Sequence, residues 1–129
     1  MRAPQKRQRR KSQKIQSTPL HVKLPSKTAR SELLIAYELN GAQEFINLLS
    51  KHYGFKRMKI IVDGRKVRNG FDACYSENKA CFKKNGVKKN IVLHEFYHHL
   101  VNAKGYEPRE TVEEKEANAY ARESLKVCF

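Results

Sequence analysis

The chain has 129 residues and a formal charge of +14, a length that suits one compact domain built around one hydrophobic core. It has no apolar stretch of the kind that a secretion signal or a membrane span requires, which argues against export and against a membrane partner. A cytoplasmic protein is therefore expected.

The N-terminal segment, residues 1–30, carries ten Lys or Arg and no Asp or Glu. It is predicted to be a disordered basic arm that precedes a folded domain over residues 31–129. A polybasic segment binds phosphate backbones by releasing their counterions, so nucleic acid is the partner that this composition favours. The alternative is that the arm only improves solubility.

The folded segment is predicted to begin with helical sequence over residues 31–54. Ser31 is the candidate N-cap and Gly54 the stop, and the apolar residues between them follow the spacing of a helix with one buried face. The Asn40-Gly41 pair is predicted to divide this sequence into two helices.

Three strands are predicted next, over residues 57–64, 70–76 and 79–84. The last two are expected to form a hairpin with a tight turn near Glu77-Asn78. The third strand is also predicted to be the edge of the sheet, above the site that the following helices form.

The two cysteines of this hairpin are Cys74 and Cys81. A two-residue turn would place them opposite one another, which makes a disulfide between them geometrically possible. Thiols in a reducing cytosol normally stay reduced, so both redox states remain open at this point.

The stretch NIVLHEFYHHLV, residues 90–101, carries His94, Glu95 and His98 in the order H-E-x-x-H. Chance would produce this pattern only ~0.02 times in a chain of this composition. Residues four apart share one face of a helix, so His94 and His98 can present ring nitrogens to one metal ion, with Glu95 beside them. His99 is expected at the helix surface or behind the metal ligands.

A metal site of the hydrolytic kind needs a third protein ligand. The helix that carries H-E-x-x-H, with Asn90 as its candidate cap, is predicted to end at Gly105. A last helix is predicted to begin around Pro108. This last helix carries three glutamates within reach of a helical hairpin, which are Glu113, Glu114 and Glu116.

The sequence resembles the glutamate-zincins, and most closely the ImmA/IrrE-type metallopeptidases. In those proteins the H-E-x-x-H helix is followed by one that bears E-x-E-A-x-x-(aromatic)-A, which EKEANAYA, residues 114–121, matches at every position. The resemblance implies an α+β, zincin-like fold with an N-terminal helix, a small three-stranded sheet and two metal-binding helices. It implies zinc as the cofactor, His94, His98 and Glu116 as ligands, and Glu95 as the general base.

The activity that the resemblance implies is hydrolysis of peptide bonds in a protein or peptide substrate, one candidate being a DNA-bound regulatory protein. Glu113 lies on the same helical stripe as Glu116 and is the alternative third ligand. The alternative function is a non-catalytic nucleic-acid-binding protein on a zinc-bound zincin scaffold, which would have no need of Glu95.

Overall fold

Four helices and one three-stranded sheet make up residues 22–126, the part of the chain that the computed structural model describes. The disorder predicted for the basic arm falls mainly on residues 1–21, which lie outside the described residues. The elements, in chain order, are α1 (Lys27–Asn40), α2 (Ala42–Tyr53), β1 (Lys59–Val62), β2 (Ala73–Ser76), β3 (Lys79–Phe82), α3 (Lys89–Lys104) and α4 (Glu110–Ser124). This arrangement confirms the α+β class.

Helix α1 begins at Lys27, before the predicted start at Ser31. Ser26 is the actual N-cap, because its hydroxyl oxygen accepts a hydrogen bond from the backbone N–H of Ala29 at 3.1 Å. The predicted break is confirmed at Gly41, whose φ of 90° is a conformation that residues with a Cβ rarely adopt.

The sheet has the strand order β1-β3-β2, with β1 parallel and β2 antiparallel to β3. The prediction that residues 79–84 form an edge strand is therefore wrong: β3 is central, and β2 is an edge. Both Ala80 and Phe82 of β3 are fully buried, which accounts for its inner position. The predicted turn is confirmed, since Glu77 and Asn78 have φ values of 44° and 68°, as in a type I′ turn.

One face of the sheet packs against the helices. Ala80 and Phe82 point to this inner face, and their register partners Ile60, Ala73 and Tyr75 pack against the same hydrophobic core. Because side chains alternate along a strand, the intervening residues of each strand point the other way.

The opposite, outer face carries Cys81 between its register partners Ile61 and Cys74. The loop between β1 and β2, residues 63–72 and called the strap here, reaches this face. The Cys74 thiol donates a hydrogen bond to the Lys66 carbonyl oxygen at 3.4 Å. The strap thus links the outer face of the sheet to its β2 edge.

The helical hairpin of α3 and α4 follows the sheet. Helix α3 begins at Lys89, so Asn90 lies inside its first turn and is not the cap that was expected. Gly105 ends α3 in the left-handed conformation, with φ of 72°, as predicted. Helix α4 begins at Glu110, two residues later than Pro108.

Helix α3 packs by more than one face, so more of its residues are buried than in a helix that packs by one face only. Its buried residues are Val92, Leu93, Glu95, Phe96, Tyr97, His99, Leu100 and Val101. The sheet, α2 and α4 all pack around it, so α3 is fixed on several sides. None of the helices in residues 22–126 is both long enough and apolar enough to span a bilayer.

Gly86 provides a test of the packing between the strap and the turn before α3. A Cβ at this position would lie 2.5 Å from the Asp72 carbonyl oxygen. We expect Gly86→Ala to lower the free energy of unfolding by about 1–3 kcal/mol, because backbone must move to admit the methyl group. Urea denaturation measures this change.

Gly64→Ala is the matched control, since a Cβ there would meet only the Lys83 side chain, at an ordinary contact distance of 3.7 Å. It should change the free energy of unfolding by no more than about 0.5 kcal/mol. Equal effects of the two substitutions would contradict the close approach of Gly86 to Asp72.

Candidate metal centre

The hairpin of α3 and α4 brings together His94, His98 and Glu114. The two histidines lie one turn apart on α3, and Glu114 lies one turn before Asn118 on α4. Because the helices run antiparallel, one turn of α4 faces one turn of α3, and the four side chains meet between them. This places the H-E-x-x-H histidines together, as the sequence predicted.

The ligand atoms of this group lie at the spacing of atoms bound to one small ion. His94 Nε2 and His98 Nε2 are 3.3 Å apart. The two carboxylate oxygens of Glu114 lie 3.0 Å from His94 Nε2 and 2.9 Å from His98 Nε2. Two nitrogens bound tetrahedrally at the usual zinc distance would lie about 3.3 Å apart.

The hydrogen bonds of the two rings fix which nitrogen carries the proton. His94 Nδ1 lies 2.8 Å from the amide oxygen of Asn118, and His98 Nδ1 makes a hydrogen bond to a carboxylate oxygen of Glu113. Both partners can only accept at these atoms, so each Nδ1 is the donor. In the neutral form of each ring, Nε2 then carries a lone pair directed at the shared centre.

The two Nε2 atoms also contact Glu114. His94 Nε2 lies within hydrogen-bonding distance of one carboxylate oxygen, and His98 Nε2 lies within ion-pair distance of the other. Burial and the neighbouring His98 lower the pKa of His94, which favours its neutral ring. With both rings neutral, two nitrogen lone pairs and a carboxylate face one centre, an arrangement suited to binding a metal ion.

Glu116, the third ligand that the sequence predicted, lies elsewhere. Its side chain is on the buried side of α4, with only 2% of the residue exposed, and its carboxylate accepts a hydrogen bond from the Tyr97 hydroxyl at 2.9 Å. The structure does not bring it to the histidines. Glu113, the alternative ligand, holds the far nitrogen of His98 instead.

Glu95 lies at the wall of the cleft beside the centre, with 6% of its surface exposed. Burial raises its pKa to about 7, with Glu114 adding to the effect and His98 opposing it. A carboxyl group with such a pKa can both accept and release a proton near neutral pH. Glu95 thus combines contact with the cleft and a pKa near neutrality.

His99 was expected at the helix surface or behind the ligands, and it is instead fully buried on the opposite side of α3. Its Nδ1 lies 2.9 Å from the Tyr75 hydroxyl. That hydroxyl accepts hydrogen bonds from the Asn78 backbone and the Asn102 side chain, so it donates its own proton to His99. His99 Nε2 then donates to the Lys56 carbonyl oxygen. This network ties the β2 edge to α3.

The centre opens into a cleft of about 770 Å³ between the helices and the β2 edge. Its walls are formed by the strap, by Ala73 to Tyr75 of β2 and by the facing sides of α3 and α4. The edge strand that borders the cleft is therefore β2, not the strand of residues 79–84. An extended chain laid along β2 would pass directly in front of the histidines.

Cys74 of this edge strand lies opposite Cys81, as the predicted turn requires, and both are free thiols. Burial, followed by the charge of Cys81, raises the pKa of Cys74. Its thiol is thus a poor nucleophile near neutral pH.

Glu114 was among the three glutamates predicted to lie within reach but was not chosen as the ligand, and Asn118 was not predicted to act here. Glu114 is the first glutamate of the motif and Asn118 lies at one of its unspecified positions, and the sequence alone did not fix the rotation of α4 about its axis. The signal that could have found them is their four-residue separation on α4, which equals the separation of the two histidines on α3.

Comparison with known proteins gives no relative on which to base an assignment. No protein-family model matches the chain, and neither does any curated protein or solved structure.

Replacing Tyr75 tests the network that ties the β2 edge to α3. Tyr75→Phe removes the proton that the phenol donates to His99 Nδ1 and leaves this buried nitrogen unsatisfied. We expect the free energy of unfolding to fall by about 1–3 kcal/mol, as measured by urea denaturation. Tyr37→Phe is the control, because the Tyr37 hydroxyl bonds to no described residue, and it should be nearly neutral; an equal loss there would contradict the network.

Proposed function

We propose that the chain is a small zinc-dependent metallopeptidase of zincin-like fold. In this proposal His94, His98 and Glu114 hold the metal, and Glu95 is the general base. The observation that carries it is the convergence of two histidine nitrogens and a carboxylate within about 3.3 Å of one another. Glu114 takes the place that was predicted for Glu116.

The donor set favours zinc among the common metals. Two imidazoles and one carboxylate make up a ligand set found in hydrolytic zinc sites, where a fourth position remains open. Zinc, when bound, supplies Lewis acidity that lowers the pKa of water in the site and polarises a carbonyl group.

The chain's own residues supply orientation and proton transfer. Asn118 and Glu113 hold the imidazoles of His94 and His98 by their Nδ1 atoms, so that both Nε2 atoms keep one direction. Glu95 takes a proton from the attacking water and returns it to the leaving amine. A single carboxyl group at the wall of the cleft can perform both steps because it lies beside the centre.

The substrate in this proposal is a protein or peptide bound in extended form. Along the outer side of an edge strand, the backbone N–H and C=O groups have no partner strand. Strand β2 presents this side to the cleft. A peptide can pair with it as an added strand, which places one of its carbonyl groups at the centre.

A non-catalytic scaffold that binds nucleic acid is the second candidate. The observation that favours it is the excess of basic residues, which a peptidase does not require. This scaffold needs the metal ligands for stability but gains nothing from Glu95, a carboxyl group buried at some cost beside them. Glu95 therefore separates the two candidates.

Metal content tests the ligand assignment. We expect the wild-type protein to bind one zinc ion per chain, and Glu114→Gln to weaken the affinity by about 100-fold or more, since it removes a charged ligand. Competition with a chromophoric chelator measures the affinity, and elemental analysis gives the stoichiometry.

Glu116→Gln is the matched control, because it makes the same chemical change two residues away. The amide oxygen that this substitution introduces can still accept the Tyr97 hydrogen bond, so the zinc affinity should change by no more than a few-fold. If Glu116→Gln abolished zinc binding while Glu114→Gln preserved it, the ligand would be Glu116 and the assignment to Glu114 would be wrong.

Activity tests the role of Glu95. We expect Glu95→Gln to retain zinc and the fold but to lower the cleavage rate of an unfolded, fluorescently quenched protein substrate on the order of 100-fold. Glu110→Gln, at the outer rim of the same cleft, serves as control and should keep most of the rate. Full activity of Glu95→Gln would contradict the role of Glu95 as the base. Zinc binding without cleavage by the wild-type protein would favour the scaffold.

A further inference from the structure

The positive charge of the folded part is concentrated in one segment. Residues 56–89, which form the sheet and its loops, contain eleven Lys or Arg and three Asp or Glu. Residues 90–126, which form most of the α3–α4 hairpin, contain five and seven. The basic arm is thus not the only cationic part of the chain.

Two of these lysines lie side by side on the outer face of the sheet. Lys59 of β1 and Lys79 of β3 are register partners, and both are exposed. Neighbouring strands are about 4.8 Å apart, so the two ammonium groups are close enough to repel one another. An anion at this position removes that repulsion.

The strap extends this positive surface toward the β2 edge. Lys66 and Arg68 are exposed on it, and the Lys83 side chain lies against the strap at Gly64. We call Lys59, Lys66, Arg68, Lys79 and Lys83 the basic face.

Within residues 22–126, the cations of the basic face lack carboxylate partners. None of the five forms an ion pair with another residue of this part of the chain. By contrast, Arg65 pairs with Asp63, and Lys89 pairs with Glu38. The five charges of the basic face are therefore available to an anion from solution.

The basic face continues into the rim of the cleft. Arg68 and Phe71 of the strap both line the cleft, and the Arg68 guanidinium lies 5.5 Å from the centre of the Phe71 ring. Phe71 is 52% exposed, which leaves much of its ring open to solvent. An exposed ring beside an arginine is a platform on which an unpaired base can stack.

We propose that the basic face binds the phosphodiester backbone of a nucleic-acid strand, with an unpaired base stacked on Phe71. A row of unpaired cations that bends around the β2 edge suits a flexible polyanion. This binding site is independent of the proposed hydrolysis and of the arm.

Binding of a fluorescein-labelled 20-nucleotide strand, as DNA and as RNA, tests the proposal by anisotropy over a series of salt concentrations. The full chain is used throughout, so that the arm is present in every variant. Adding Lys59→Gln and Lys79→Gln should weaken binding about tenfold and reduce the salt slope by about 2, or one unit for each phosphate contact.

The pair Lys51→Gln and Lys115→Gln is the matched control. Both residues are exposed and lie on α2 and α4, outside the basic face, and their substitution removes the same total charge. The control should leave the salt slope nearly unchanged, and the arm contributes equally to both variants. Equal losses in the two pairs, or no loss in the sheet pair, would overturn the proposal.

Phe71 and the choice of polyanion are tested in the same assay. Phe71→Ala should weaken binding of the single strand by about tenfold and of the duplex much less, while Phe71→Tyr keeps the ring and restores the affinity. Equal weakening of single strand and duplex would overturn the stacking role.

If phosphatidylserine vesicles bound through Lys59 and Lys79 while neither DNA nor RNA did, the face would be a lipid surface and the proposal would be wrong.

Discussion

The packing of α3 against α4 is the constraint on which the candidate centre depends. Ala117 and Ala121 are buried on α4 and have no bulk to separate the helices. On the core side of this contact the Tyr97 hydroxyl reaches Glu116, and on the cleft side the imidazoles reach Glu114. A larger residue at either alanine would separate both sets of partners at once.

Three glutamates near the contact between α3 and α4 have different environments, and each environment suits a different role. Glu116 is buried and accepts a hydrogen bond from the Tyr97 hydroxyl, which suits a structural role. Glu114 has a half-exposed side chain and faces two nitrogen lone pairs, so its charge is available to a cation. Glu95 lies between these extremes, buried enough that its pKa rises to about 7 but still in contact with the cleft. The same fold thus offers one carboxylate suited to support, one suited to metal binding and one suited to proton transfer.

Sequence reasoning located the histidines because a four-residue spacing fixes a common face whatever the helix packs against. It found the turn at Glu77-Asn78 for a similar reason, since local backbone chemistry decides it. It did not distinguish Glu114 from Glu116, because successive residues differ by about 100° around a helix and only the packed partner fixes the rotation. It also misjudged the edge strand, since a hairpin can join a sheet by either of its strands, and the more buried strand takes the inner place.

The separation of charge between the sheet and the helices bears on how the two proposed activities can coexist. Glu110, Glu113 and Glu114 line the cleft, so a phosphate backbone that entered it would meet carboxylates as well as the histidines. The basic face attracts the same backbone on the other side of the β2 edge. In this proposal the phosphate backbone is held on the basic face, and only the base stacked on Phe71 reaches the rim of the cleft. The part of the cleft in front of the histidines stays open to a polypeptide. A protein already bound to that strand would be presented along β2 at high local concentration, so even a weak peptide site would suffice to select it.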